Sequence, residues 1–207
     1  MPMYNLLKTM MKPMNTAQRI VSLVDKMRKN SSIFRMWKNI PLAKECIQLL
    51  HDLDDPDEDS LGKALACRAI REQLPEYDIP RFVLDIMHFE RELLLQANNE
   101  GAGDPDALES IDLDIHRLND YIDIQNIGTT EFIQRYDSHL NFDPVERTPQ
   151  WEELYYDVEK ECDRQLGDTP RGMGFCFAYW STRRTVLAQH GIQWRSPGEM
   201  NPRVMFD

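Results

Sequence analysis

Apolar residues recur at intervals of three and four positions along most of the chain, the pattern of helices that bury one face. Several of these stretches follow a Ser, Thr, Asn or Asp residue, often with proline next, which is how helices begin. The pattern predicts helices at about 16–29, 41–53, 60–74, 80–98, 105–126, 130–139, 149–166 and 170–191, with a short one starting at 31 or 32. No alternating β-branched run and no Asn-Gly or Asp-Gly turn predicts a strand. We therefore expect an all-α protein.

The predicted helices are joined by short connections, and no flexible linker rich in Pro, Ser and Gly separates two halves of the chain. This organisation predicts a single domain over residues 1–207, with about eight or nine helices in a helical body at 15–190. The helix at 80–98 is apolar over the broadest arc, so we expect it to lie at the centre.

The stretch at 191–207 has a different pattern. Two X-Pro pairs, Ser196-Pro197 and Asn201-Pro202, oppose a long helix there, yet large apolar residues continue to the end. We predict an extended, irregular tail that lies across the helical body, with Trp194 buried. The expected anchors of this tail are Trp194, Met200, Met205 and Phe206.

The chain of 207 residues carries a net charge of -11 that is unevenly distributed. Residues 1–50 have a net charge of +7, residues 51–169 of -21 and residues 170–207 of +3. We expect the two basic ends to lie against the acidic middle, within one fold or across two subunits. The alternative is that the basic start meets an anionic partner. The overall negative field disfavours nucleic acid.

Two predicted helices carry candidate metal ligands. Asp85, His88 and Glu92 share one face of the first helix, and Asp112 and His116 share one face of the second. If the two faces converged, two imidazoles and three carboxylates would suit zinc, iron or manganese. The repeated Glu-x-x-His pattern of di-iron helical bundles is absent. The alternative is a partly buried histidine that is bonded to a nearby carboxylate or carbonyl.

A second candidate site lies at the start of the last predicted helix. Arg171 and the backbone N–H groups near Gly172 form a place where phosphate or carboxylate can bind, with Arg183 and Arg184 three turns further on. The glycines lack the spacing of a P-loop or a dinucleotide-binding motif. The alternative is that these arginines pair with the acidic middle of the chain.

The cysteines and the apolar runs bear on where the protein works. The four cysteines are far apart, form no CxxC pair and lie in apolar helical stretches, which favours buried thiols. No apolar run is long enough to span a bilayer, and the start of the chain does not resemble a secretory signal. We therefore expect a cytoplasmic protein without a membrane partner.

No nucleophile motif predicts a reaction. The aromatic and methionine residues and the complementary charge blocks are typical of interaction surfaces. The leading hypothesis is a non-enzymatic protein that acts through protein–protein interaction or self-association and needs no cofactor. One alternative is an enzyme or helical bundle that holds a transition metal. The other is an anion-binding protein that uses Arg171 and Arg184.

Overall fold

The computed structural model describes residues 15–53, 59–138, 140–167 and 169–206. Over these ranges the chain forms nine α-helices and no strand, so the all-α prediction is confirmed. The helices are α1 (Thr16–Ser32), α2 (Asn39–His51), α3 (Ser60–Arg71), α4 (Pro80–Asn99), α5 (Pro105–Ile122), α6 (Thr129–Arg135), α7 (Pro149–Leu166), α8 (Phe175–Gln189) and α9 (Pro197–Met200). Two 3-10 turns, Met36–Lys38 and Pro144–Arg147, precede α2 and α7.

Capping residues begin several helices where the sequence predicts it. The side chain of Asn15 accepts from the backbone N–H of Gln18 at the start of α1, and Thr148 caps α7 in the same manner. The predicted helix starting at 31 or 32 is wrong, because α1 continues to Ser32 and Phe34 then turns the chain with a φ of 57°.

Several other boundaries differ from the prediction, including the end of α3 at Arg71 rather than near 74. The last long helix begins at Phe175 rather than near 170, because Gly174 precedes it with a φ of 82° that favours glycine. Helix α5 ends at Ile122 and α6 at Arg135, each a few residues early. The predicted end of α6 at His139 lies outside the described residues.

Helices α1 to α5 enclose the main hydrophobic core. Helix α4 contributes most to it, with Val83, Ile86, Met87, Leu93 and Leu94 buried, as expected for a central helix. The buried face of α4 also carries Glu90, whose carboxylate lies 2.6 Å from Arg71 and 3.2 Å from Arg68 of α3. This paired charge joins α3 to α4 inside the core.

A second, smaller hydrophobic cluster lies between α7 and α8 and includes the start of the tail. Its buried members are Trp151, Val158, Cys162, Val186, Leu187, Ile192 and Trp194. Trp151 and Trp194 pack against each other with ring centroids 6.0 Å apart and ring planes tilted by 41°. Helix α7 therefore has one side in the main core, through Tyr155, and another in this cluster.

The four predicted tail anchors have different environments. Trp194 is buried, as predicted, and its indole N–H donates to Glu146 at 2.7 Å. Phe206 is half-buried against Trp180, and Met200 is half-buried in the short helix α9. Met205 is 96% exposed, so the prediction that it anchors the tail is wrong. Asp207 lies outside the described residues.

Ion pairs join the basic ends of the chain to its acidic middle. Arg35, Lys38 and Arg171 surround Asp163, and Arg195 lies 3.2 Å from Asp143. The expectation that the charge blocks meet within one fold is therefore confirmed for these pairs. Residues 1–14, which carry part of the basic start, lie outside the described residues. None of the helices that the structure describes is long and apolar enough to cross a membrane.

Candidate functional site

The structure does not bring the five candidate metal ligands together. Asp85, His88 and Glu92 lie on the solvent-exposed side of α4. On α5, Asp112 pairs with Arg91 at 2.5 Å, and His116 is 69% exposed at 3.8 Å from Asp120. Across the described ranges, no three His, Cys, Asp or Glu side chains are placed to hold a metal ion. The convergence that the metal hypothesis required is therefore wrong.

The three candidate anion-binding arginines are each paired with carboxylates. Arg171 donates to Asp163 at 3.2 Å and to the backbone oxygens of Ile33 and Phe34. Arg184, on the surface, pairs with Glu199. Arg183, which directly precedes Arg184, is buried: only 11% of its side chain is exposed. Pairing with acidic residues, the alternative to an anion site, is what the structure contains at all three positions.

Arg183 is the centre of a buried cluster of rings and carboxylates. Its guanidinium lies 4.6 Å from the ring centroid of Trp151 and between 5.5 and 5.8 Å from those of Tyr155, Tyr179 and Trp194. It donates to Asp78 at 3.0 Å, and its Nε lies 3.3 Å from Glu159. We call these seven residues the Arg183 cluster. Cation–π contacts and ion pairs together hold the charge where water is largely excluded.

A cleft of about 470 Å³ opens beside this cluster. The α1–α2 and α3–α4 connections, α7 and the start of α8 form its walls. We call it the aromatic cleft, after its lining residues, which are Phe34, Met36, Trp37, Pro75, Asp78, Tyr155, Glu159, Asp163, Leu166, Arg171, Gly172, Phe175, Cys176 and Tyr179. Aromatic walls with a few polar groups are typical of ligand-binding pockets.

Two carboxylates at one end of the aromatic cleft each bond to the described residues through one oxygen. Oε1 of Glu159 accepts from the Tyr179 hydroxyl at 2.5 Å, and Oδ1 of Asp78 accepts from Trp151 at 3.1 Å and from Arg183. Their second oxygens accept no hydrogen bond from the described residues, and only 10% of the Glu159 side chain is exposed. Burial raises the pKa of Glu159, against the opposing effects of Arg183 and the Tyr179 hydroxyl.

The other end of the aromatic cleft has an excess of positive charge. Asp163 lies 2.8 Å from Arg35, 3.2 Å from Arg171 and 3.7 Å from Lys38, so three cations share one carboxylate. Among the described residues that line the cleft, Arg171 is the one with a cationic side chain. Its guanidinium also lies 5.3 Å from the centroid of the Phe175 ring. The cleft therefore has an acidic end and a basic end.

A second surface feature lies on the other side of the first turns of α8. Met173 is 93% exposed, Phe177 55% and Met205 96%, and they surround a groove that is also lined by Trp180 and Phe206. We call these five residues the C-terminal apolar face. The largest exposed apolar patch of a monomeric protein is often an interaction site.

Glu146, under the tail, is expected to make stability depend on pH. Burial raises its pKa from 4.5 to about 7, although the Trp194 indole N–H opposes the rise. Because the folded state holds this proton more tightly than the unfolded chain, its contribution to stability is full below pH 4.5 and is lost as the pH rises through 7. Glu146→Gln should remove this loss, about 3 kcal/mol in the free energy of unfolding.

Urea unfolding of wild type and Glu146→Gln across this pH range checks the prediction. The exposed Glu153→Gln on α7 serves as the matched control and should follow the wild-type pH dependence. A difference between wild type and Glu146→Gln that stays constant with pH would contradict a raised pKa at this position.

No protein-family model, curated protein or solved structure matches this chain.

Proposed function

We propose that this protein acts through protein–protein contact and that its partner is a second copy of the same chain. The observation that carries the proposal is the exposure of Met173, Phe177 and Met205 around one groove. Burying these side chains against a partner removes apolar area from water, which is the main favourable term in association. Methionine also adapts its shape well to a partner surface.

The polar edge of the C-terminal apolar face favours a second copy as the occupant. Arg184 and Glu199 pair at this edge with 47% and 45% of their side chains exposed. In a two-fold dimer the same face lies on both sides, so Arg184 of each copy can reach Glu199 of the other. An edge that carries one base and one acid is thus complementary to itself, around an apolar centre.

The net charge of -11 makes an ionic-strength dependence part of the proposal. Two such molecules repel each other at long range, and the segment 170–207 that forms the apolar face carries +3. In a two-fold dimer these two like-charged segments meet, so association has to come from the apolar contact and not from net charge. Moderate salt screens the remaining repulsion, so association should strengthen as salt rises from a low level.

Single substitutions on the apolar face should disrupt the dimer. Phe177→Asp and Met205→Asp place a charge in the apolar centre, and each should raise the dissociation constant by about tenfold or more. Sedimentation equilibrium over a range of protein concentrations measures this. Leu113→Asp is the matched control, because Leu113 is 65% exposed on α5, away from the face, and its substitution should leave association unchanged.

The outcome that would refute self-association is a wild-type protein that stays monomeric at high micromolar concentration, in both low and moderate salt. Equal weakening by Leu113→Asp and Phe177→Asp would also count against the face, since a general effect of charge would then explain the loss.

We propose a cytoplasmic setting for this activity, without nucleic-acid or membrane partners. The four cysteines are all free thiols, in keeping with a reducing compartment. The acidic surface repels polyanions. The proposed action requires no cofactor.

The two alternative functions have less support. The candidate metal ligands do not converge within the described residues, and an anion at Arg184 would compete with Glu199 for that side chain.

A further inference from the structure

The charges in the aromatic cleft are ordered along α7. Tyr155, Glu159 and Asp163 are spaced four residues apart on that helix and all line the cleft. Consecutive members are therefore about 6 Å apart along the helix axis. The acidic end at Glu159 and the basic end at Asp163 are about one helical turn apart, with aromatic walls between them.

The acidic end is suited to a donor that carries positive charge. Asp78 and Glu159 supply two carboxylates, and Arg183 supplies one cation to both of them. The second oxygen of each carboxylate has no hydrogen-bond donor within the described part of the chain, although Glu159 is nine-tenths buried. An ammonium group there would supply hydrogen bonds and one positive charge, and neighbouring rings favour a cation.

The Tyr155 hydroxyl adds a further polar group at this end. Tyr155 is 7% exposed, and its hydroxyl makes no hydrogen bond to the residues that the structure describes. The hydroxyl is not a fully buried atom, so it is accessible from the cleft and can donate to or accept from a ligand there.

The basic end is suited to an anion. One carboxylate, Asp163, is shared by Arg35, Lys38 and Arg171, which leaves two positive charges without an acidic partner in this group. Arg171 is held in place by the backbone oxygens of Ile33 and Phe34 and by the Phe175 ring. A carboxylate or phosphate on a ligand would find a positioned guanidinium there.

We propose that the aromatic cleft binds a small zwitterion, with an ammonium group at the Asp78–Glu159 end, an anionic group at Arg171 and an apolar body between them. The proposed site is separate from the C-terminal apolar face, so it does not depend on self-association. Glu159 sets the preference for the cationic group, and Arg171 sets the preference for the anionic group.

Cys176 provides a built-in reporter of occupancy. It lines the aromatic cleft and is partly exposed, whereas Cys46, Cys67 and Cys162 are buried. A thiol reagent should therefore react first at Cys176, which Cys176→Ser would verify by loss of the fast phase. A ligand in the cleft should slow this reaction. Mildly alkaline pH is used because burial raises the pKa of Glu159.

Three probes of matched length test the chemistry on the wild-type protein. ε-Aminocaproate has both charges, hexylamine has only the cation, and hexanoate has only the anion. We expect ε-aminocaproate to protect Cys176 at a concentration about tenfold lower than either of the others, since each charged end adds a charge-assisted contact. Equal protection by one of the single-charge probes, or none by any probe, would overturn the proposal.

Substitutions at Glu159 and Arg171 test which end of the aromatic cleft binds which charged group. Glu159→Gln should cut protection by ε-aminocaproate and by hexylamine about tenfold, whereas Arg171→Gln should reduce ε-aminocaproate to the level of hexylamine. Asp157→Asn and Arg164→Gln, exposed positions on α7, are the matched controls and should bind as wild type. Circular dichroism confirms that each variant is folded. Met205→Asp should keep protection unchanged, because Met205 does not line the cleft, which separates this site from the dimer. Wild-type protection in both Glu159→Gln and Arg171→Gln would also overturn the assignment.

Discussion

Replacing Arg183 by methionine is expected to lower the free energy of unfolding by about 3 to 5 kcal/mol. Methionine keeps much of the length of the side chain and removes the charge. Asp78 and Glu159 would then face each other's negative charge with no cation between them, in a place where only 10% of Glu159 is exposed. The loss of cation–π contacts with the surrounding rings adds to the effect.

Two further variants separate the charge from the packing. Adding Asp78→Asn and Glu159→Gln to Arg183→Met removes the unpaired carboxylates and should recover a good part of the loss, because a buried cluster without charges needs no cation. Arg184→Met is the matched control on the next residue. Arg184 is 47% exposed in a surface pair, so its loss should cost no more than about 1 kcal/mol.

Urea unfolding at neutral pH measures all four proteins. The result that would contradict the account is an Arg183→Met loss no larger than that of Arg184→Met. A triple variant that is even less stable than Arg183→Met would show that the hydrogen bonds of the carboxylates, rather than their charges, hold the cluster together.

The contrast between Arg183 and Arg184 shows where sequence reasoning stops. The two residues are adjacent in a helix with little amphipathic pattern, so the sequence does not indicate which of them is buried. Which of them is buried depends on where α7 and Trp194 pack against α8. That packing joins residues from different parts of the chain, such as Trp151 and Arg183, and local periodicity carries no information about it.

The helices themselves could be predicted because caps and periodicity are local. Asn15, Asp104 and Thr148 accept hydrogen bonds from the first turns of their helices, and the burial of α4 follows its apolar positions. The failure of the metal prediction could also have been foreseen locally. Asp85, His88 and Glu92 lie opposite the apolar face of α4, which places them toward solvent whatever packs on that face.

The sequence indicates the aromatic cleft less clearly than it indicates the helices. Tyr155, Glu159 and Asp163 recur four residues apart, a polar stripe on a helix that otherwise buries Trp151, Val158 and Cys162. Such a stripe indicates that something polar faces α7, but not what it is. The opposing groups come from the α1–α2 and α3–α4 connections, which the sequence could not place beside α7.

Deleting residues 192–206 together with Asp207 is expected to lower the free energy of unfolding by about 3 to 6 kcal/mol, since burying each of Ile192 and Trp194 is worth about 1.5 to 3 kcal/mol. Both side chains are buried in the cluster between α7 and α8. The deletion also exposes Trp151 and removes the partner of Glu146. Thermal and urea unfolding of the shortened protein measure the loss.

The control is a chain that ends at Asn201. This protein keeps Trp194 and the pairing of Asn201 with Asn141, in which the backbone N–H of Asn141 donates at 2.8 Å and the Asn201 amide donates back at 2.7 Å. It loses Met205, which is exposed, and the contact of Phe206 with Trp180. Its free energy of unfolding should fall by only about 1 kcal/mol, the contribution of one aromatic pair.

The same shortening removes two residues of the C-terminal apolar face, so it should weaken self-association while leaving the fold intact. If the longer deletion instead left the melting temperature unchanged, the burial of Trp194 could not be what fixes the tail, and both the tail packing and the apolar face built on it would have to be abandoned.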